Sequence, residues 1–397
     1  MVRASRTIDR NRSRPPGESA AGLPLEFELF AVLGGDAKAR IAARYFGLDG
    51  LGGTTLHSAG HEFGVSGERA RQILSEVTKR LYGSQPFTPV LDRTISFLAQ
   101  YIPGRADEME RKLLSEGLSN VPFRLEGLVR ATELLGRTPP FTVIQTKRLR
   151  LVHRRPVPVI ATIVRAGRRT IGHRGIATIG DVFVRLRDTD QEGGPPFVGD
   201  VLSGEEDFHW LDPAGLWFWI SSVLRNPMVT RIRKILSVAN PVRIAALQAG
   251  IARDYRMRGC LAPSGVLLEL CRQIAGLQVD ADVVRAVPPI SRDGVLSAKE
   301  RRVLDLLGRN GGLMWRASLA SACREKGMNR SSFYGLLEHS PVIASYAPGV
   351  VGPVGAETPP GALERLDRSL PLDRHPRNCD STIGRRPRRP RKYGSGT

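Results

Sequence analysis

Residues 36–81 read DAKARIAARYFGLDGLGGTTLHSAGHEFGVSGERARQILSEVTKRL, and this stretch decides the fold. Asp36 is a helix cap for a segment at 37–45, which Gly47 ends, because glycine enters the left-handed conformation after a helix at least cost. The loop GLDGLGG leads to Thr54 and Thr55, either of which suits the cap of a short helix at 56–62. Phe63, Gly64 and Val65 make a tight turn, and Ser66 caps a longer helix at 67–81. Within that helix Ala70, Ile73, Leu74, Val77 and Leu81 recur at the three-and-four spacing of a buried stripe. By subtraction Gly67, Glu68, Arg71, Gln72 and Ser75 face outward. Gly60 lets the two helices approach closely.

An outward helical face with Glu, Arg and Gln near its N-terminus has the chemistry of major-groove readout. Arginine donates twice to guanine, glutamine pairs with adenine, and glutamate accepts from cytosine. YFGLDG, the threonine-leucine helix start, a glycine before a phenylalanine-glycine-valine turn and the run S-x-E-R-x-R-Q-I together resemble the fourth conserved region of sigma-70 type RNA polymerase sigma factors. The resemblance covers about residues 36–82 and implies a helix-turn-helix that binds a promoter's upstream hexamer. It places Glu68, Arg69, Arg71 and Gln72 on the DNA-facing positions, with Ser66 as the cap of that helix and Thr55 near the phosphate backbone. Gly67 stands where the family usually carries a base-contacting arginine, and it weakens the helix start by roughly 1 kcal/mol against alanine. No segment resembles the acidic and aromatic second region of sigma factors, so the resemblance implies a regulator that uses the helix-turn-helix rather than a complete sigma factor.

The rest of the 397 residues supports a nucleic-acid partner. Fifty-nine Lys and Arg against 39 Asp and Glu leave a formal charge of +20, and such a surplus favours a polyanion. Double-stranded DNA is the expected partner of a transcription regulator; the alternatives are docking on RNA polymerase or another protein, or an accessory role in maintaining the DNA of a mobile element. No run approaches the roughly 20 apolar residues of a membrane span, and the basic N-terminus lacks a secretory apolar core. The cytoplasm, at the nucleoid, is the expected location. Cys260, Cys271, Cys323 and Cys379 form no C-x-x-C pair, so neither a zinc ribbon nor a disulfide framework is expected. His57 and His61 are spaced like a zinc-protease pair, but Ser58 stands where the glutamate base belongs. With no Walker lysine and no G-x-S-x-G, neither enzyme chemistry nor a cofactor or metal is expected.

The fold class expected is mainly α: a sigma region 4-like helix-turn-helix, several winged-helix-like modules and disordered basic termini. Residues 1–25 read as a flexible basic arm and 26–85 as the helix-turn-helix. Helical periods in 86–145, followed by PPFTVIQ as a strand, give the order of a winged helix. A basic segment follows at 146–187, its stretch 145–180 holding nine Lys and Arg without an acid. Residues 159–164 are a strand candidate there, and Arg148, Arg154, Arg155, Arg168 and Arg169 are candidates for phosphate contact. Residues 188–209 invert the sign and read as an acidic linker able to screen the basic segment in cis. Trp210, Trp217, Phe218 and Trp219 look like core at helical spacing. Winged-helix-like modules are expected again at 210–290 and 291–357, the latter opened by a Ser297–Glu300 capping box and carrying Arg330 at an outward helix start capped by Asn329. The tail 358–397 contains GRRPRRPRK, similar to an AT-hook without its central glycine, so Arg386, Arg388, Arg389 and Arg391 are expected on phosphates rather than in sequence readout.

Overall fold

The computed structural model describes residues 23–186, 193–257 and 262–356, with the backbone alone at 156 and 157. It is mainly helical, with small antiparallel sheets. The first unit holds α1 (Leu25–Val32), α2 (Ala37–Phe46), α3 (Leu56–Glu62) and α4 (Gly67–Leu81). Its helix starts follow the predicted caps. The side chains of Asp36, Thr55 and Ser66 accept from the N–H groups of Ala39, Ser58 and Arg69, and Gly47 ends α2 at φ 75°. All five stripe residues of α4 are buried. At Gly60 a side-chain carbon would lie 2.7 Å from the Val65 carbonyl oxygen, which is why the α3–α4 turn needs glycine. The predicted arm, 1–25, takes in only the first residue of α1; that helix itself is not foreseen, because Pro24 gives no side-chain cap and Leu25, Glu26, Phe27, Glu28 and Leu29 alternate rather than follow a helical period.

Four copies of one arrangement follow, each a helix, a short strand, two helices and a β-hairpin. The first has α5 (Pro89–Leu98), β1 (Gly104–Arg105), α6 (Ala106–Ser115), α7 (Leu125–Leu134), β2 (Thr142–Gln145) and β3 (Arg150–His153). The second has α8 (Pro156–Arg174), β4 (Ala177–Thr178), α9 (Ile179–Arg185), α10 (Gly194–Ser203), β5 (Phe208–Trp210) and β6 (Trp217–Ile220). The third has α11 (Pro227–Leu236), β7 (Val242–Arg243), α12 (Ile244–Ala252), a single 3-10 turn (Tyr255–Met257), α13 (Ser264–Gln273), β8 (Leu277–Asp280) and β9 (Val283–Ala286). The fourth has α14 (Ala298–Arg309), β10 (Met314–Trp315), α15 (Arg316–Glu325), α16 (Arg330–His339), β11 (Ile343–Ala347) and β12 (Val350–Pro353). Every sheet has the same order: the short strand pairs with the last strand of the hairpin, which lies in the middle, as in β1-β3-β2.

The second copy is the one that the sequence concealed. Among the described residues, 146–186 and 193–209 are not a basic segment and a linker: 146–153 complete the hairpin of the first copy, and 156–186 and 193–209 belong to the second. The strand expected at 159–164 lies inside α8, because Ile163, Ala166, Thr170 and Ile171 bury one helical face and that period outweighs the β-branched run around them. Residues 194–203 form α10, with Phe197, Val198, Val201 and Leu202 buried. The aromatic cluster is core, but on strands: His209 pairs with Trp219 and Trp210 with Phe218 across the hairpin. The third copy therefore starts at α11 rather than at residue 210.

Neighbouring units share their cores. One apolar cluster runs from Leu25 in α1 through the first copy to Val152. Another joins Leu211 and Trp219 of the second copy to α11–α13 and to Val354 of the fourth.

Candidate nucleic-acid interface

Because the Ser66 cap and the buried stripe fix the roll of α4, Glu68, Arg69, Arg71 and Gln72 all emerge exposed on its first two turns. In the free protein they pair along the helix. Arg71 holds Glu68 with N···O distances of 2.7 and 2.9 Å, and Arg69 donates to Gln72 at 3.0 Å. Hydrogen bonding to Arg71 keeps the Glu68 carboxyl below its usual range. Exposed pairs of this kind contribute little to stability, so their side chains can exchange one partner for another at small cost. Thr55 and Ser66 are exposed, with hydroxyl oxygens occupied by the helix starts that they cap. Gly67 has room: an added side-chain carbon meets nothing nearer than the His57 Cα at 3.7 Å. Behind this face Arg44 ties the glycine-rich loop to α3, donating to the Gly52 carbonyl at 2.8 Å and to Glu62 at 2.9 Å. Along the chain, only its position before a glycine-rich loop marks Arg44 for this role.

His57 and His61 stand with ring centroids 6.4 Å apart on α3. Among the described residues no group of His, Cys, Asp and Glu is arranged to hold a metal. Cys271 and Cys323 are buried and free, and burial pushes the Cys271 thiol up to about 12.

The arginines of 145–180 are largely engaged, mainly by acids outside that run. Arg150 is half-buried between Glu110, at 2.6 Å, and Glu126, at 3.1 Å. Lys147 pairs with Glu206 at 2.8 Å, and Arg148 donates to the carbonyls of Glu206 and Phe208. Arg168 reaches Glu205 at 3.3 Å and Asp207 at 3.2 Å. Glu205, Glu206 and Asp207 thus screen the basic stretch in cis, but from the turn that joins α10 to β5 rather than from a linker. Arg148 and Arg168 are accordingly not open phosphate contacts in this state. All five candidates, Arg148, Arg154, Arg155, Arg168 and Arg169, are exposed, and Arg154 donates to the Ala99 carbonyl at 3.4 Å. In the fourth copy Asn329 caps α16, and Arg330 is exposed with its guanidinium 5.7 Å from the Tyr334 ring. Arg386, Arg388, Arg389 and Arg391 lie outside the described residues.

The four copies differ in what covers the helix before their hairpin. The Arg124 N–H at the start of α7 donates to the Gly50 carbonyl, and at Gly127 a side-chain carbon would lie 2.2 Å from the Gly47 oxygen. The first unit therefore covers α7. Phe197 of α10 stacks on His153 of the first copy, with ring centroids 5.5 Å apart. In α13 Gln273 accepts from the Trp219 indole at 2.7 Å and donates to the Trp210 carbonyl at 3.1 Å, so the hairpin of the second copy covers it. By contrast α16 is held at its C-terminal end, where Arg253 donates to the carbonyls of Leu337 and Ser340, and its first turn is exposed.

No family model matches the chain, and no curated protein matches it either.

Proposed function

We propose that the protein is a DNA-binding transcription regulator in which α4 is the recognition helix of a sigma region 4-like helix-turn-helix. On this reading the four repeated units are winged-helix-like, and they serve mainly to position α4 and to add affinity for phosphates. The observation that carries the proposal is the first half of α4: four polar side chains with base-pairing chemistry, all exposed over a stripe that is wholly buried. The excess of 20 positive charges supports a polyanionic partner. Of the sequence candidates, Glu68, Arg69, Arg71 and Gln72 are assigned to bases, Thr55 to the backbone, and Arg154, Arg155, Arg169 and Arg330 to phosphates. The protein would work in the cytoplasm, at the nucleoid.

Selecting bound fragments from a random duplex pool with the purified protein provides the preferred site. On that site Arg71→Ala or Gln72→Ala should weaken binding by about 1–3 kcal/mol while barely changing the affinity for unselected duplex. Equal losses on both duplexes would overturn sequence readout.

A second reading, docking on RNA polymerase or another protein, is favoured by Tyr82 and Phe87. Just beyond α4 these rings are 89% and 87% exposed, and aromatic side chains are enriched at protein interfaces. Capture of purified polymerase that survives nuclease treatment and is lost in a Tyr82→Ser, Phe87→Ser variant would favour docking over readout.

A further inference from the structure

We infer that the fourth repeat holds a separate site for a run of phosphates, in a groove of about 550 Å³ along α14. Arg292, Arg301, Arg302, Arg309 and Lys326 supply five cations to its lining, against the two acids Asp293 and Asp305. Helical spacing places Arg302 and Arg309 two turns apart on α14, so their guanidinium groups line the same side.

The groove is built, and its charge is not cancelled. Arg302 is anchored by one donated bond, 2.7 Å to the Lys326 carbonyl at the end of α15, which leaves its other N–H groups free. Arg292 is anchored in the same way on the Ser237 carbonyl at 3.2 Å. Only Arg301 is neutralised, by Asp293 at 2.6 Å, and its Nε is buried without an acceptor. Among the described residues Arg309 and Lys326 have no ion-pair partner, and neither has Asp305. Four uncompensated cations around one acid set a positive field that a single carboxylate cannot balance.

The chemistry of the lining selects the ligand class. Ala298 and Leu306 are its only apolar members, so an acidic peptide would find almost nothing on which to bury side chains. Phosphate groups need donors and charge alone, and guanidinium forks match two of their oxygens at once. Two sources offer that chemistry, the backbone of a duplex and a free polyphosphate such as a nucleotide's. The duplex is the more consistent with the neighbouring elements. Lys299, one turn before Arg302 on α14, donates to Ser332 at 2.8 Å, which sets the exposed start of α16 and Arg330 beside this face. The inference goes beyond the reading of α4 and does not depend on it.

The test uses the full chain, an unselected duplex and inorganic triphosphate as probes, with binding followed by fluorescence anisotropy. The double variant Arg302→Ala, Arg309→Ala should lose about tenfold in duplex affinity, and the slope of log affinity against log salt should flatten by about two. Asp305→Asn should tighten binding, and that gain guards against a loss caused by misfolding. Both effects should recur at the same size in a protein that also carries Arg71→Ala and Gln72→Ala, which separates this site from α4. Weakened triphosphate binding with unchanged duplex binding would assign the groove to a free polyphosphate. Unchanged affinity for both probes would overturn the inference.

Discussion

The helices α4 and α7 hold the same place in their units, the last helix of each bundle, and have opposite fates. α4 buries one stripe and presents the rest to solvent, whereas α7 buries Leu125, Gly127, Leu128, Ala131 and Thr132 and lies against the loop that precedes α3. The difference is written in residue size and charge. On α7 the glycine permits backbone-to-backbone approach, and where α4 carries an interior arginine and glutamine on its free face, α7 keeps small and apolar groups toward its neighbour. α10 and α13 follow α7, and the first turn of α16 follows α4. A repeated architecture of this kind does not repeat its working surface: three of the four copies use that helix to hold the row together.

The largest break in the comparison comes from filling the seam. Gly127→Val places carbon where the Gly47 carbonyl stands and should destabilise the protein by about 3 kcal/mol or more in a denaturant titration. On the proposed reading it should also weaken duplex binding, although it touches none of the residues assigned to bases. A variant as stable as the parent would mean that α7 is not held as described.

A smaller effect tests the cover on α10. Burial raises the Asp200 carboxyl to about 6, with Arg105 opposing the rise and the acids Glu108 and Asp107 adding to it. The folded form thus holds its proton more tightly than an unfolded chain, whose aspartate titrates near 3.9. The stabilising contribution is therefore complete below about pH 4 and is lost as the pH rises through about 6. Since other carboxylates impose their own slopes, the informative quantity is the difference between parent and Asp200→Asn. Relative to the parent, that variant should gain on the order of 1 kcal/mol between pH 4 and pH 7. A constant difference across that range would refute the assignment.

The smallest effect sharpens the contrast on the free helix. Gly67→Ala meets only ordinary contacts, so it should stabilise α4 by at most about 1 kcal/mol, read as a small rise in melting temperature. Gly67→Arg should fit equally well and change which duplexes are selected. A loss of stability in either variant would mean that the start of α4 is not open.

From α2 to α4 the first unit is legible residue by residue because each boundary there is set by a local signal: Asp36, Gly47, Thr55, Ser66, and a stripe at one period; α1, which starts without a side-chain cap, gives no such signal. The same held for Ser297 with Glu300 and for Asn329, whose caps are in place. The stretch from the last strand of the first copy through the second copy was not legible because charge masked period. Arg150 and Arg168 look like a polyanion surface along the chain, and only the fold brings Glu110, Glu126, Glu205 and Asp207 to them. Ion pairs 24 to 40 positions apart leave no trace in a local window. The phosphate groove was passed over for a related reason, because its cations come from α14, from the turn before it and from the end of α15.

Glu28 belongs to α1 yet completes the start of α5. Its two carboxylate oxygens take the Val90 and Leu91 N–H groups at 2.9 and 2.8 Å, and the residue is only 8% exposed. A joint made this way has no swivel, since turning one body against the other would break both bonds and leave a carboxylate stranded away from water. A duplex seated on α4 would therefore set the bearing of the first repeat as well. The direction in which the chain leaves the DNA would be steered from a single acidic side chain.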